Sequence, residues 1–234
     1  MLELLRGMRH KSLSVDADTP ITDVRYVVVD TELTGLDEKK DSIVSIGAVR
    51  MAGGNINIGA TFSRLVKPGT ELSAASVVIH GITPSEVIKK PDIDPVLSEF
   101  FDFCGDSVIV GHFISIDLAF INREMKRIAD RPASNPAIDT FGVHEWLRKR
   151  AVSYDCPSFP HAGYKLYDIA KCFGIEVSGA HQALMDAFIT AQLFQQFLPM
   201  LVDAGVCSIG ELLKIGNPFK GGERFRTSGE IVNF

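Results

Sequence analysis

Several features that would assign the chain to a special class are scarce or absent. Its four cysteines, Cys104, Cys156, Cys172 and Cys207, include no C-x-x-C pair. That absence disfavours a structural zinc site, and we expect reduced, mostly buried cysteines in a cytoplasmic protein. No apolar run approaches the roughly 20 residues that span a bilayer, and the first residues lack the apolar core of a signal peptide. We therefore expect no membrane partner.

Positive charge is also in short supply. The 234 residues include 24 lysines and arginines against 29 aspartates and glutamates, which gives a formal net charge of −5. Proteins that coat nucleic acid non-specifically are usually basic, because lysine and arginine neutralise phosphates, so the composition disfavours such a role. With 46% hydrophobic and 23% charged residues, the chain has the composition of one globular domain with a substantial core.

What the sequence does contain is a set of carboxylates at the ends of predicted strands. The apolar run 26–29 is followed directly by Asp30 and Glu32, and Thr34-Gly35 then ends the strand. Side chains two apart on a strand point to the same face, so these two carboxylates should lie side by side.

Two further segments carry acidic residues in similar positions. Asp117 follows the apolar run 108–110, and Asp186 lies five residues after His181, where the last long helix should begin. An oxygen-rich cluster of this kind suits hard divalent cations such as Mg²⁺ or Mn²⁺.

The hydrophobic periodicity predicts an α/β domain. Strands are predicted at 26–32, 43–51, 56–66, 107–112 and 136–140. Helices are predicted at 73–79, 84–89, 93–104, 116–129, 140–150, 165–173 and 181–198. Short connections make the first three strands an antiparallel meander, and the later helix–strand alternation favours parallel strands.

Around this domain we expect two terminal segments. Residues 1–24 are predicted to be an irregular lead, 25–199 the domain, and 200–234 a short helix near 208–215 followed by a Gly-rich mobile tail.

In order and spacing the acidic segments resemble the DnaQ-like, DEDDh-type 3′→5′ exonucleases, the family of polymerase proofreading subunits. The family motifs D-x-E-T-T-G, H-N-x-x-F-D and H-x-A-x-x-D are matched by segments that begin at Asp30, His112 and His181. The segments 78–83 and 166–175 also resemble family sequence, so the match covers about residues 24–198.

The chain departs from the family pattern at three positions, which are Leu33, Phe113 and Ile116. None of these departures removes a carboxylate. Phe113 replaces the usual asparagine and so removes an amide donor and acceptor near the substrate, which bears on substrate preference rather than on the chemistry.

The resemblance implies an RNase H-like mixed sheet, an antiparallel three-strand meander plus parallel strands, flanked by helices. It also implies a mechanism with two divalent cations, Mg²⁺ or Mn²⁺, about 4 Å apart. The implied metal ligands, which are also catalytic residues, are Asp30, Glu32, Asp117 and Asp186. His181 is implied as the general base, since an unperturbed imidazole with a pKa of about 6.5 can accept a proton near neutral pH.

A tyrosine base is not expected, because Gln182 stands where the sister class of this family has tyrosine. His112 is expected to support the second motif. For Arg123, Lys126 and Arg127, which follow Asp117 on a helix, a solvated face is favoured over contacts with phosphates.

The resemblance also implies contacts with substrate. The expected binding residues are Thr31, Leu33, Thr34, Leu36, His80 and Phe113. Two interpretations of Leu36 are equally consistent with the sequence: a side chain that inserts between the last two bases, or ordinary packing in the core. His80 fits a contact with the terminal nucleotide or a structural cap.

The predicted function is a metal-dependent 3′→5′ exonuclease that acts on DNA ends, single-stranded by preference, and releases nucleoside 5′-monophosphates. The alternatives are a 3′→5′ exoribonuclease that trims RNA and, from a different class, a catalytically silent docking module for nucleic acid or a polymerase. The presence of all five motif residues disfavours the silent module. The expected partners are nucleic acid 3′ ends, DNA before RNA, and a possible polymerase.

Overall fold

A computed structural model of the protein describes residues 15–150, 164–177 and 181–219, and its centre is a five-stranded sheet. The strands are β1 (Arg25–Leu33), β2 (Ile43–Ala52), β3 (Asn55–Leu65), β4 (Val108–Gly111) and β5 (Ala137–Asp139). The strand order is β3-β2-β1-β4-β5. β2 pairs antiparallel with β1 and β3, whereas β4 pairs parallel with β1 and β5. The predicted mixed sheet of an α/β domain is confirmed.

Helices connect and flank these strands. They are α1 (Ala74–His80), α2 (Pro84–Val87), α3 (Ile93–Cys104), α4 (Ser115–Ala129), α5 (Thr140–Lys149), α6 (Leu166–Cys172), α7 (Ala183–Asp203) and α8 (Ile209–Ile215). None of these helices is long and apolar enough to cross a membrane.

The predicted end of the last long helix at residue 198 was wrong, because α7 continues through Pro199 to Asp203. Proline costs a helix one hydrogen bond and crowds the preceding turn. Pro199 itself is exposed, while Leu198 and Leu201 on either side are buried in the core. Their burial offsets the loss and holds the last turn in place.

The sheet has a hydrophobic cluster on each face. Tyr26 and Val28 of β1 point towards α7, where the Tyr26 ring meets the Phe194 ring at a centroid distance of 5.0 Å. Val27 and Val29 point the opposite way and pack with residues of α3 and α4. β1 is thus covered on both faces, which fixes the direction of every side chain along it.

The described part of the N-terminal lead has no helix or strand but is packed against the domain. Ile21 is fully buried, and its backbone N–H donates to the carbonyl of Cys207 at 3.0 Å. Ile209 in turn donates to Thr19 at 2.9 Å. The C-terminal helix α8 begins after Ser208, which caps it, and the Gly-rich tail from residue 220 onward lies outside the described residues.

The expectation of four reduced cysteines was wrong for Cys172, which is disulfide-bonded. Cys104 and Cys207 are free, the first buried and the second exposed, and Cys156 lies outside the described residues. A disulfide joins residues that the fold brings together, and spacing along the chain does not report such pairs.

One glycine decides how closely α7 approaches the sheet. Gly47 of β2 pairs with Asp30 of β1. A Cβ atom at Gly47 would stand 2.1 Å from the backbone nitrogen of Leu184 and 2.2 Å from the carbonyl carbon of Ala183. The first turn of α7 therefore lies directly on the backbone of β2, beside the end of β1.

Candidate active site

Three carboxylates meet where α7 begins. Asp30 and Glu32 lie on the face of β1 that points to α7, and Asp186 is in the first turn of that helix. Oxygen atoms from all three lie within 4.8 Å of one another. Glu32 and Asp186 are buried and Asp30 is partly exposed, so the cluster opens to solvent on the side of Asp30.

The fourth predicted ligand reaches the same end of the sheet from another helix. β4 runs parallel to β1, and the helix α4 that follows it carries Asp117 in its first turn. Thr31, which points away from Asp30 and Glu32, donates its hydroxyl hydrogen to Asp117 Oδ1 at 2.6 Å. Asp117 stands beside the three-carboxylate cluster rather than within it.

The electrostatics of this cluster are unfavourable in the absence of a cation. Burial raises the pKa of Asp30 well above its ordinary value of 3.8, and the charges of Asp117, Glu32 and Asp186 raise it further. Burial and the charges of Asp186 and Asp117 raise the pKa of Glu32 to about 8. Burial also raises the pKa of Asp117 to about 7. A bound cation would offset this repulsion and favour the ionised form of all of these carboxylates.

The two oxygens of Asp186 show where such a charge would be held. Asp186 Oδ2 accepts hydrogen bonds from the Tyr167 hydroxyl at 2.7 Å and from the His181 backbone N–H at 3.1 Å. Asp186 Oδ1 is buried and has no hydrogen-bond partner among the described residues. A buried polar atom without a partner costs about 1–3 kcal/mol. The all-oxygen donor set and this open oxygen fit a hard divalent cation.

His181 precedes α7 in an uncommon backbone conformation. Its φ is 63°, in the left-handed region that non-glycine residues seldom adopt. Its backbone N–H lies 2.8 Å from the Tyr167 hydroxyl oxygen, and its ring is set edge-on to the Tyr167 ring at a centroid distance of 5.3 Å. The imidazole is partly exposed, with Nδ1 3.5 Å from the Tyr167 hydroxyl oxygen.

Tyr167 was missed as a site residue. The sequence patterns give it no role, because the segment 166–175 only resembles family sequence and the expectation concerning tyrosine concerns position 182. The hydroxyl reaches Asp186 from a different helix, 19 residues away in the chain. A tyrosine near the start of a predicted helix was the one available signal.

His80 is the expected substrate residue with the most distinctive environment. It ends α1 and is buried, and its Nδ1 accepts a hydrogen bond from the Ile82 backbone N–H at 3.0 Å. Burial, followed by the charge of His181, lowers its pKa, so the ring is neutral and its proton is on Nε2. In the described part of the structure Nε2 is buried and unpartnered, which leaves one free donor.

The second motif begins with His112 and Phe113, and both residues are hydrogen-bonded to other segments of the chain. His112 is buried, with Nδ1 2.9 Å from the Thr140 hydroxyl and Nε2 3.0 Å from the carbonyl oxygen of Tyr164. Phe113 has a φ of 52°, donates its backbone N–H to Asp139 Oδ1 at 3.0 Å, and places its ring 4.7 Å from that of Phe141. His112 thus occupies a supporting position, and Phe113 contributes a partly exposed ring.

The remaining expected substrate residues lie at the end of β1 and along the turn that follows it. Leu33 is partly buried and packs against the cluster between β1 and α4. Thr34 is buried and donates its hydroxyl hydrogen to Asp41 Oδ1 at 3.0 Å. Leu36 is partly exposed at the tip of this turn.

The solvated position favoured for Arg123 was wrong. Its guanidinium donates to the backbone carbonyls of Glu38 and Asp41, the latter at 2.7 Å, and therefore holds the turn of Leu36 against α4. Lys126 and Arg127 do lie on the exposed face, where they pair with Asp130 and with Asp94 and Glu124 respectively.

We expect the metal-free protein to lose stability as the pH rises from about 5 to about 8. A carboxyl whose pKa is higher in the folded protein than in the unfolded chain binds its proton more tightly when folded, so loss of that proton favours unfolding. For Glu32 the window runs from its ordinary pKa of 4.5 to about 8. The measurement is the melting temperature in excess chelator across this pH range.

Two variants separate this effect from the titration of other groups. Glu32→Gln should flatten the decline, whereas Glu99→Gln, which removes an exposed carboxylate 2.9 Å from Arg64, should leave it unchanged. Mn²⁺ added near pH 8 in excess over the chelator should restore the melting temperature, because a ligand that binds only the folded state stabilises it. A melting temperature that rises with pH in chelator would contradict the assignment.

Comparisons with known proteins bear on this arrangement. A family model described as Exonuclease (RNase_T) matches residues 27–194. The DNA polymerase III subunit epsilon of Aquifex aeolicus is 34% identical over 198 residues, which cover 83% of this chain and 90% of that protein. The DNA polymerase III PolC-type protein of Thermotoga maritima is also 34% identical over 198 residues, and the match spans only 14% of its length.

Solved structures give the same fold. Exonuclease X in complex with 5′-overhanging duplex DNA has a TM-score of 0.58 at 25% identity, over 82% of this chain and 98% of the other. Exonuclease I of E. coli in complex with a dT13 oligonucleotide has a TM-score of 0.65 at 20% identity, over 78% of this chain and 43% of the other. At that identity the second similarity shows the fold alone.

Proposed function

Because the chain belongs to the Exonuclease family, we propose that it removes nucleotides from the 3′ ends of DNA and releases nucleoside 5′-monophosphates. The observation that carries the proposal is the cluster of Asp30, Glu32 and Asp186, with oxygens within 4.8 Å of one another and the backbone N–H of His181 bonded to Asp186. A family member that had lost catalysis would have no reason to keep these mutually repelling carboxylates together.

The carboxylates would hold two divalent cations, Mg²⁺ or Mn²⁺. Asp30, Glu32 and Asp186 would hold one of them, and Asp117, beside this cluster, would help to hold the other. Bound cations of this kind polarise the scissile phosphate and lower the pKa of a water molecule. The Asp186 oxygen without a hydrogen-bond donor supports this use of the site.

The protein's own contribution to the proton transfer comes from His181. Nδ1 of its ring faces the Tyr167 hydroxyl at 3.5 Å, which leaves Nε2 as the nitrogen free to accept a proton. We propose that Nε2 takes the proton of the attacking water. A positioned general base of this kind contributes about 10²–10⁴-fold to the rate.

The terminal nucleotide would be held by side chains around the cluster. His80 is buried and its Nδ1 accepts from the Ile82 backbone N–H, so it would support this rim from beneath rather than touch the nucleotide. Leu36 is partly exposed, and Val78 and Ile79 beside His80 are 84% and 42% exposed. These apolar side chains can stack on an unpaired base, which favours single-stranded ends. Phe113 adds an aromatic ring in the place of the usual amide.

We also propose a protein partner and a cellular location. A relative named as a subunit of DNA polymerase III supports association with a replicative polymerase in the cytoplasm. Trimming of RNA 3′ ends is the second candidate function, and none of the described side chains has an assigned contact that would separate the two sugars.

Matched oligonucleotides labelled at the 3′ or the 5′ end test the direction and the sugar. We expect the 3′-labelled DNA strand to release labelled mononucleotide at once, and the 5′-labelled strand to shorten as a ladder. Both reactions should require Mg²⁺ or Mn²⁺ and stop in excess chelator. RNA of the same sequence, run in parallel, decides between the two candidate substrates.

Two substrates without a free 3′ hydroxyl serve as controls. A 3′-phosphate should block the reaction, because its charge and bulk occupy the place of the terminal hydroxyl. Circular single-stranded DNA should resist digestion. Rapid cutting of circles would show an endonuclease, and release of the 5′ label first would reverse the proposed direction.

A further inference from the structure

Tyr167 stands between two residues of the site and contacts both. It lies in the first turn of α6, which packs beside α7. Its hydroxyl is 2.7 Å from Asp186 Oδ2 and 2.8 Å from the His181 backbone nitrogen. No other described side chain is hydrogen-bonded to both of these residues.

The direction of each hydrogen bond follows from the chemistry of the groups. The His181 backbone N–H can only donate, so the Tyr167 oxygen accepts from it. The single hydroxyl proton of Tyr167 is then available for Asp186 Oδ2, which can only accept when ionised. The hydroxyl is therefore satisfied on both sides and fixed in orientation.

In this arrangement the two oxygens of Asp186 have different hydrogen-bonding partners and therefore different roles. Oδ2 receives two donors, the Tyr167 hydroxyl at 2.7 Å and the His181 N–H at 3.1 Å. Oδ1 has none among the described residues. With Oδ2 engaged, the carboxylate plane cannot rotate freely, and Oδ1 is the oxygen left to bind a cation.

The same hydroxyl also bears on the position of the base. His181 has a φ of 63°, a conformation that costs a non-glycine residue of order 1–3 kcal/mol and persists only where the surroundings enforce it. The two hydrogen bonds of its N–H, to Tyr167 and to Asp186, hold the backbone there. The backbone in turn sets where the imidazole lies.

We propose that Tyr167 is a positioning residue of the catalytic site: its hydroxyl turns Asp186 so that Oδ1 faces the cation, and it anchors the backbone that presents His181. The inference rests on the proposed function, because it concerns the ligand and base of the same reaction. Hydrogen-bonding partners of metal ligands typically affect metal affinity or activity by about 10–100-fold.

The test removes a single oxygen atom. Tyr167→Phe is expected to weaken Mn²⁺ binding by about 10-fold, measured by calorimetry without DNA, and to lower kcat by about 10–100-fold. KM for a single-stranded oligonucleotide should change little, because the hydroxyl that is removed bonds to Asp186 and to the His181 backbone, not to a residue proposed to bind the base. Assays are run well below the melting temperature of each variant.

Tyr26→Phe is the matched control. It removes a buried tyrosine hydroxyl that donates to the Ile21 carbonyl at 2.8 Å, away from the carboxylates. We expect a lower melting temperature with unchanged kcat and Mn²⁺ affinity. Equal losses of kcat in both variants would overturn the inference, as would wild-type Mn²⁺ affinity and kcat in Tyr167→Phe.

A measurement on the unmodified protein covers the case in which Tyr167→Phe does not fold. The His181 amide hydrogen should exchange slowly with solvent, because it is held by Tyr167 and Asp186. Rapid exchange of this amide would overturn the inference by itself. If the unmodified protein neither binds Mn²⁺ nor shortens 3′ ends, the proposed function fails instead, so the two failures are distinguishable.

Discussion

Asp30→Asn is expected to lower the rate of 3′-end hydrolysis by several orders of magnitude and, at the same time, to raise the melting temperature of the metal-free protein. The amide has nearly the shape of the carboxylate but carries no charge. It removes one of the proposed cation ligands, a buried carboxyl whose pKa is raised by burial and by the charges of Asp117, Glu32 and Asp186. Loss of activity with gain of stability is unusual for one substitution, since most substitutions destabilise.

The measurement pairs single-turnover rates on a 5′-labelled oligonucleotide with melting temperatures in chelator near pH 8. Asp186→Asn should lose activity to a similar degree. Asp130→Asn is the control, because Asp130 is exposed, pairs with Lys126 at the end of α4, and has a φ of 54° that asparagine tolerates. It should leave both quantities unchanged. Near-wild-type turnover in Asp30→Asn would refute the ligand assignment.

His181→Ala should lower kcat by about 10²–10⁴-fold while Mn²⁺ affinity stays within a few-fold of wild type, because removal of a general base leaves the carboxylates in place. Alanine at a φ of 63° is itself strained, so part of any loss could come from the backbone. His181→Asn separates the two effects, since asparagine accepts this conformation but cannot act as a base of comparable strength.

The comparison of the two His181 variants with wild type is therefore the decisive one. Equal losses in kcat for alanine and asparagine, at preserved Mn²⁺ affinity, support the role of the imidazole. A loss confined to alanine would assign the effect to the backbone. Collapse of Mn²⁺ affinity in His181→Asn would make His181 a ligand and would contradict its role as the base.

Much of the fold could be predicted because its local patterns agree with its packing. The apolar run before Asp30 becomes β1, and helices on both faces bury it, so the strand needs no polar alternation. The end of α7 could not be predicted, since a proline that usually ends a helix is offset by buried leucines on either side of it. The disulfide of Cys172 depends on spatial proximity, which local patterns do not encode.

The residues of the site likewise fall into those that the sequence predicts and those that only the fold reveals. Asp30 and Asp186 could be predicted from the sequence, because each lies in a short motif whose other residues are only a few positions away. Tyr167, Arg123 and Gly47 act through contacts with segments far away in the chain: Arg123 is 82 residues from the carbonyl of Asp41 that it binds. Such residues become visible only when the fold brings the segments together.

The contact between Gly47 and the first turn of α7 has a further consequence for how this family can diversify. No layer of side chains separates the helix from the strand at that point, so no substitution there can tilt or shift the helix by small steps. The geometry of hydrolysis is therefore held rigid. The turn of Leu36 and the apolar residues beside His80 are exposed and free to vary. Enzymes built on this plan should evolve new substrates by changing the rim of the site while the carboxylates beneath it stay in the same place.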